Sequence, residues 1–263
     1  MAQSVVPIGG VFAVQRLRAA LPPARLQRYD AACVGTGVDP MDLYRWAGTV
    51  ALAMFDDLSH VEVAMRSAMA DRLASTHGLH WYQRTDLLDT NTLKLIATAW
   101  KQGGLSRLQA PPEVLHGKLV ASLMFGFWVK LLGRGGFYTS GAGHTAVRER
   151  RIYDTLLWKP ALRHAFPHVG DLERARVEET ARSVQALRNR IAHHEHIVWG
   201  VPLPGARTAD GTTTRLSVSQ THGALLALAG YVDEDLKSWL RDYSTVENQL
   251  RACPLAGRTS LLL

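Results

Sequence analysis

The sequence is poor in cysteine. Its two cysteines, Cys33 and Cys253, stand near opposite ends of the 263-residue chain. A single pair so far apart provides neither a disulfide framework nor the close ligand spacing of a zinc site. The class of small disulfide-rich proteins is therefore excluded, and we expect the protein in a reducing compartment, the cytoplasm.

Long hydrophobic runs are also missing. The most apolar stretch spans residues 119–132 and is interrupted by Lys130. Its 14 residues are too few to cross a hydrocarbon core of about 30 Å as a helix. The first residues lack a basic segment followed by a long apolar one, so no signal peptide is predicted. We therefore expect neither a membrane-spanning segment nor a membrane partner.

Acidic residues are the minority among the charged ones. The chain has 23 Asp and Glu against 30 Lys and Arg, which gives a net charge of +7. A basic excess of this size favours an anionic partner such as nucleic acid. Most of the excess lies in residues 146–192, where Arg148, Arg150 and Arg151 are candidates for binding an RNA backbone.

Apolar residues recur every three or four positions along most of the chain, which is typical of amphipathic helices and not of strands. The clearest stripe spans residues 43–68 and follows the helix-start signal Asp39-Pro40. Asp56, Asp57 and Ser59 interrupt this stripe, and we expect them to divide it into two helices. Further helices are predicted over residues 90–100, 113–132, 148–166, 171–194 and 218–250.

Two stretches lack this periodicity. Glycines crowd residues 133–143, but the Gly-Lys-Ser/Thr ending of a phosphate-binding loop is missing, so a surface loop is predicted there. Prolines and threonines in residues 202–214 predict a loop or a short hairpin. The patterns together predict an all-α fold.

The stretch from residue 187 to residue 196 concentrates polar side chains that serve chemistry. Successive helical residues advance by about 100°, so Asn189 and His193, four positions apart, lie on one side of a helix. Ile191 lies on roughly the opposite side, with the apolar stripe that is expected in the core. Arg188 lies between the two sides, and its long stem lets the guanidinium reach outward.

These side chains are suited to the cleavage of RNA without a metal. An arginine binds phosphate through two parallel hydrogen bonds and keeps its charge at any working pH. A histidine, whose ordinary pKa is about 6.5, gives or takes a proton at neutral pH. RNA carries its own nucleophile in the 2′-hydroxyl, so the histidine can move a proton while the arginine stabilises the charge that develops on phosphorus.

The string Arg-Asn-Arg-Ile-Ala-His-His-Glu at residues 188–195 resembles the signature of the Abi-like (abortive infection) family, a branch of the HEPN superfamily. The superfamily pattern is an Arg, a polar residue, a few spacers and a His. Arg188 and Asn189 fit it with His193 after four spacers, and Arg188 fits it with His194 after five.

The resemblance extends to further blocks, in family order, over residues 25–197. Residues 60–67 are similar to the first core helix of the family, although Ser67 stands where Asn often follows the Arg. Residues 125–129 and 156–167 resemble two more family blocks.

The resemblance implies a HEPN-like helical bundle with additional flanking helices. Residues 25–198 would form the HEPN domain, preceded by an extension over 1–24. Residues 199–263 would add a loop or short hairpin and C-terminal helices packed on the same domain. It also implies a homodimer whose two motifs share one cleft.

The implied activity is that of a metal-independent endoribonuclease without cofactors, acting in phage defence or as a toxin. An antitoxin, either a protein or a small RNA, would then be a partner. The implied catalytic residues are Arg188, Asn189 and His193. The supporting residues are Arg190, His194 and Glu195.

Alternatives to this interpretation stay open. A catalytically inactive HEPN module that binds RNA or protein would carry the same motif. Residues 193–196 hold three histidines and a glutamate, but the order is not His-Glu-x-x-His, and adjacent helical histidines diverge by about 100°, so no metal site is predicted. Glu62 and Arg66, four positions apart, are expected to form a structural ion pair.

Overall fold

The structure is a computed structural model that describes residues 11–141, 145–171 and 173–255. The protein is 65% helical, with two small antiparallel sheets of two strands each in these ranges, which confirms the prediction of a mostly helical fold. The helices are α1 (Val11–Ala20), α2 (Pro23–Cys33), α3 (Pro40–His77), α4 (Thr90–Gln102), α5 (Pro112–Ser122), α6 (Phe125–Leu131), α7 (Arg174–Ala192), α8 (Val218–Val232), α9 (Glu234–Tyr243) and α10 (Val246–Arg251). The strands are β1 (Phe137–Ser140), β2 (Val147–Arg150), β3 (Val201–Arg207) and β4 (Thr213–Leu216).

Parts of four predicted segments lie outside the described residues. They are residues 1–10 of the extension, 142–143 of the glycine-rich loop, 172 of the helix predicted over 171–194, and 256–263 of the C-terminal region.

The long helix α3 forms the centre of the fold. Asp39 caps its start, because the Asp39 carboxylate accepts a hydrogen bond of 2.8 Å from the backbone N–H of Met41, and Pro40 occupies the first helical position. The apolar stripe predicted over residues 43–68 is buried along α3, with Leu43, Val50, Met54, Leu58, Val61 and Met65 fully inside. The predicted start signal and stripe are therefore confirmed.

The predicted division of this stripe into two helices is wrong. Asp57 is buried, and its Oδ2 lies 3.0 Å from Nε2 of His222 on α8 and accepts a hydrogen bond of 2.6 Å from the Ser244 hydroxyl. A buried carboxylate needs such partners, and here they let it sit within a continuous helix. These bonds tie α8 and the turn between α9 and α10 to α3.

The helix predicted over residues 113–132 is two helices, α5 and α6, that meet at an angle of 99°. Leu123 and Met124 take extended backbone angles at the junction, while the side chains of Leu123 and Phe125 are buried. Among the described residues, no single helix is long and apolar enough to cross a membrane, and α5 with α6 passes that test only as a bent pair.

Residues 133–166 differ most from prediction. The expected loop contains β1, and the helix expected over residues 148–166 begins instead as β2, paired in antiparallel register with Phe137 opposite Arg150. A π-helical turn follows, in which the Lys159 N–H reaches the Asp154 carbonyl, and Pro160 has no N–H to continue a regular helix. Strand pairing depends on a second segment, which the periodicity of one segment alone does not reveal.

Two further predictions agree with the structure. Helix α4, predicted over residues 90–100, starts at an Asp89 cap and ends at Gln102, before Gly103 and Gly104. Residues 202–214 lie in the hairpin of β3 and β4, where a loop or short hairpin was expected. Helix α8 packs against α3 and α7, so the C-terminal helices share one hydrophobic core with the preceding helices.

Candidate functional site

Helix α7 carries the Arg-Asn-Arg motif and buries one side completely. Val177, Ala181, Val184 and Leu187 are inaccessible to solvent. Their 3.6-residue period fixes the rotation of the helix, because any other rotation would expose this stripe. The residues that follow Leu187 therefore emerge at the surface in a defined order.

The end of α7 is a Schellman turn. The backbone N–H of Glu195 bonds to the Arg190 carbonyl at 2.8 Å, and the N–H of His194 bonds to the Ile191 carbonyl at 2.9 Å. This arrangement places His194 in the left-handed region with φ of 55°, where glycine is the usual residue. A histidine held there at a conformational cost is a candidate for a functional side chain.

Arg190 and Glu195, both predicted as supporting residues, hold this turn in place. Arg190 donates two hydrogen bonds, of 3.1 and 3.0 Å, to the His196 carbonyl. Its third contact is an ion pair of 2.8 Å with Glu195. The two residues therefore fix the path of the chain beyond α7 and thereby position His194.

A groove of about 690 Å³ lies beside this turn, between the end of α7 and the helices α2 and α3. This volume is within the range of small-molecule and cofactor sites. Basic and imidazole side chains share its lining with small and apolar side chains of α3. The polar lining residues include Arg25, Arg45, Arg188, His194, Glu195 and His196, and the apolar ones include Ala51, Leu52, Phe55 and Ile191.

The groove separates the predicted catalytic residues into two sets. Arg188 and His194 line it together. Asn189 and His193 are exposed on the adjoining surface and do not belong to its lining. His193 follows the last helical residue, yet its N–H still bonds to the Asn189 carbonyl at 3.0 Å, so the two residues stay neighbours.

Arg188 is a partly buried cation of the site with few partners. Its side chain is 28% exposed, and its nearest carboxylate oxygen, Oε2 of Glu62, lies 3.9 Å from Nε. No described residue forms a hydrogen bond with the guanidinium, and the buried Nε has no partner. The expected ion pair of Glu62 with Arg66 is replaced by this contact with Arg188. The free donors of Arg188 are suited to an incoming oxyanion.

An aromatic cluster supports the back of the groove. The buried hydroxyl of Tyr29 lies 2.7 Å from Nδ1 of His196. Burial lowers the pKa of His196, and the nearby cation Arg25 lowers it further. His196 is therefore neutral at neutral pH and acts as a structural hydrogen-bonding group.

Sequence reasoning missed the contribution of α2. Arg25 donates hydrogen bonds to the Tyr44 hydroxyl and to the His194 carbonyl, and so joins α2 to the turn that holds His194. Arg25 and His194 stand 169 positions apart, and no local spacing signals such a contact.

The three arginines predicted to bind RNA differ in their surroundings. Arg148 and Arg150 are exposed on β2, with their guanidinium carbons 4.5 and 5.1 Å from the centre of the Phe137 ring. Arg151 is buried and donates to the Thr85 carbonyl and to Glu149, each at 2.8 Å. Arg151 thus anchors the hairpin, and only the first two remain available to a ligand.

Potential metal ligands do not cluster in the described part of the chain: no group of three or more His, Cys, Asp or Glu is arranged to hold an ion.

Comparison with known proteins adds no assignment, since no protein-family model, curated protein or solved structure matches this chain.

Proposed function

We propose that this chain is a metal-independent endoribonuclease of the HEPN type. The observation that carries the proposal is the state of Arg188, a partly buried guanidinium that faces a groove without a hydrogen-bond partner among the described residues. Leaving buried donors unsatisfied costs free energy, which an anionic ligand would recover. His194 in the same groove and His193 beside it supply groups that transfer protons.

The reaction follows from these groups. The 2′-hydroxyl oxygen attacks the adjacent phosphorus while its proton passes to a base, and the bond from phosphorus to the 5′-oxygen breaks as that oxygen gains a proton. The products are a 2′,3′-cyclic phosphate and a 5′-hydroxyl end. Arg188 would bind the non-bridging oxygens and stabilise their developing charge. A histidine would carry the proton at one of the two oxygens.

Two histidines compete for that role. The motif with four spacers assigns it to His193, with Asn189 beside it. The motif with five spacers assigns it to His194, and the shared groove of Arg188 and His194 supports this second assignment. The strained backbone of His194 supports it as well, because glycine would serve the turn better.

A homodimer completes the proposed site. One groove offers a single Arg188, whereas the reaction needs groups at both the attacking and the leaving oxygen. Leu52 and Phe55 line the groove and are 70% and 46% exposed, which is costly in a monomer. We propose that a second copy of the chain packs on this part of α3 through a two-fold axis and brings two motifs together.

The biological role rests on the family resemblance. As an Abi-like protein, the chain would act in the cytoplasm as a phage-defence effector or toxin, restrained by an antitoxin of protein or RNA. The alternative is an inactive HEPN module that binds RNA or protein, since free donors on Arg188 also serve binding without cleavage.

Cleavage of RNA in excess chelator tests the proposal. Purified protein incubated with mixed RNA should generate fragments with 2′,3′-cyclic phosphate and 5′-hydroxyl ends, and Arg188→Ala should abolish them. Fragments with 5′-phosphate ends that form only with added divalent metal would contradict the mechanism. Binding of RNA without any cleavage would favour the inactive module.

A further inference from the structure

A second cavity, of about 330 Å³, lies on another side of α7, near the middle of the helix. It is enclosed by α6, by the glycine-rich turn that follows α6, and by α7. Three of its lining side chains are permanent cations, one is an amide, and none is a carboxylate. The lining residues are Gly126, Val129, Lys130, Gly133, Arg134, Gly135, Arg182 and Gln185.

The charge of this basic pocket is only partly neutralised. Glu178 accepts hydrogen bonds from Arg182, at 3.0 and 2.6 Å, but it also accepts one from Arg174 at 2.9 Å. One carboxylate therefore serves two guanidiniums and fixes the direction of Arg182. Arg134 is exposed and lies within 4 Å of no carboxylate of the described residues, and Lys130 approaches Asp89 only to 3.9 Å.

Glycines give the basic pocket its shape. Gly135 has φ of 74°, and a Cβ at this position would lie 2.2 Å from the Arg151 carbonyl oxygen. A Cβ on Gly126 would lie 2.7 Å from the Gln185 amide nitrogen. Position 135 therefore requires glycine, whereas a side chain at Gly126 would displace the flexible end of Gln185 from the pocket. At Gly135 the backbone rather than a side chain forms part of the wall. The glycine-rich stretch that lacks a phosphate-loop ending thus lines a basic cavity.

The chemistry of the basic pocket is that of binding and not of proton transfer. Its lining contains no histidine, carboxylate, cysteine or hydroxyl that could act as a base or nucleophile. Arginine, lysine and amide N–H groups together are the donors that bind phosphate oxygens. The ligand class that fits is a phosphate group.

Two residues of the basic pocket are also in line with Asn189 and His193 of the motif. Arg182, Gln185, Asn189 and His193 follow one another at spacings of 3, 4 and 4 along α7, which places them in one row on the helix. At a rise of about 1.5 Å per residue, the row extends about 16 Å from Arg182 to His193. A strand of RNA bound along this row would place one phosphate in the pocket and another near the motif.

We propose that the basic pocket binds a backbone phosphate of the RNA, away from the phosphate that is cleaved. The inference rests on the proposed ribonuclease function and adds a substrate-positioning site to it. The same chemistry would accept a free phosphate or a small phosphorylated ligand, so the test must distinguish the two sources.

The double variant Arg134→Gln/Arg182→Gln tests this inference in the full chain. The probe is a fluorescent single-stranded RNA with 2′-O-methyl groups, which lacks the nucleophile and so reports binding alone. Affinity is measured by anisotropy between 0.1 and 1 M salt, and inorganic phosphate is titrated separately in thermal melts. Arg241→Gln, which removes an exposed arginine on α9, is the matched control.

Each lost phosphate contact should reduce the steepness of log affinity against log salt by about 0.7. The affinity at 0.1 M salt should therefore fall about fivefold more than the affinity at 1 M salt. We expect such a loss in the double variant and a smaller change in Arg241→Gln. Equal losses in both would contradict the inference. Unchanged RNA affinity with a phosphate-induced rise in melting temperature that the double variant loses would assign the pocket to a small ligand and overturn the RNA site.

Cleavage of unmodified RNA by the wild-type protein, measured in parallel, separates this inference from the proposed function. Cleavage by the wild type combined with unchanged RNA affinity in the double variant overturns the basic pocket alone. RNA binding that depends on Arg134 and Arg182 without any cleavage supports the basic pocket as an RNA-binding site and overturns the nuclease.

Discussion

The groove and the basic pocket beside α7 differ in what their side chains can do. The groove at the end of the helix combines an unsatisfied Arg188 with imidazoles and an exposed apolar wall. The polar side chains of the basic pocket, near the middle of the helix, are only permanent cations and an amide. Permanent charges bind phosphate, but only a group that titrates near neutral pH also moves protons. One helix thus presents a candidate site for chemistry and a candidate site for binding.

Removal of the proton carrier should have the largest effect. General acid–base catalysis contributes about 10²- to 10⁴-fold, so His194→Ala should reduce the cleavage rate by that factor if the histidine in the groove is the proton carrier. His193→Ala is the matched control, with the same loss of an exposed imidazole one residue away. Single-turnover rates on unmodified RNA measure both.

A larger loss of cleavage rate in His193→Ala than in His194→Ala would assign catalysis to His193 and the motif with four spacers. Both variants should retain the affinity for 2′-O-methyl RNA, because binding depends mainly on phosphate contacts. Full cleavage activity in both variants would rule out each of these histidines as the essential proton carrier.

Disruption of the apolar wall should have the next largest effect. Leu52→Glu would bury an unpaired carboxylate in the proposed two-fold interface at a cost of about 3 kcal/mol, which weakens dimerisation more than a hundredfold. Val63→Glu is the control, since Val63 is 51% exposed on the same helix but does not line the groove. Light scattering should show a monomer only for Leu52→Glu, together with loss of cleavage. A fully active monomer would refute the composite site.

Relief of the backbone strain at His194 should have a smaller effect, a change in melting temperature. Glycine adopts the left-handed conformation without the penalty of about 1 kcal/mol that other residues carry, so His194→Gly should raise the melting temperature by about 2–4 °C. The same change at His193, whose φ is −93°, should not raise it. Cleavage should fall in His194→Gly despite the added stability. Unchanged or lower stability would show that the turn does not strain this residue.

The smallest expected effect is the change in the free energy of unfolding with pH. Burial lowers the pKa of His77, His116 and His196 below the value near 6.5 that each has in the unfolded chain. The unfolded state then binds more protons below about pH 6.5, so the free energy of unfolding should be constant above that pH and decrease as the pH falls. Denaturant titrations at pH 8, 7, 6 and 5.5 measure this trend, which should be shallower in His196→Gln. Stability that increases on acidification would contradict it.

Local patterns predict the parts of this fold that depend on local forces. The stripe of α3, the Asp39 cap and the buried side of α7 follow from period and capping alone, because one continuous element contains both the signal and its effect. Polar Asp57 seemed to be a helix breaker because its partner His222 lies 165 positions away. The hairpin of β1 and β2 is missed for a similar reason, since its pairing competes with an apparent helical period in residues 148–166.

The sequence likewise predicts only the part of the candidate site that depends on local spacing. The motif on α7 is visible in the sequence, and its spacing correctly places Asn189 beside His193. The sequence does not reveal the turn that ends the helix, because Schellman turns usually contain glycine and this one contains His194. The groove depends on Arg25 from α2 and on Leu52 from α3, whose contributions arise only from packing. The basic pocket likewise depends on the packing of α6 and the glycine-rich turn against α7.

The distinction between the two cavities can be tested by one measurement, the single-turnover rate of cleavage at saturating RNA in excess chelator. Arg182→Gln in the basic pocket should need more RNA to reach saturation but then attain the wild-type rate. Arg188→Ala in the groove should remain slower by about 10²- to 10³-fold at any RNA concentration, as expected when a donor to the transition-state oxyanion is lost. Recovery of the wild-type rate by Arg188→Ala at saturation would contradict its role in chemistry and, with it, the account of the groove.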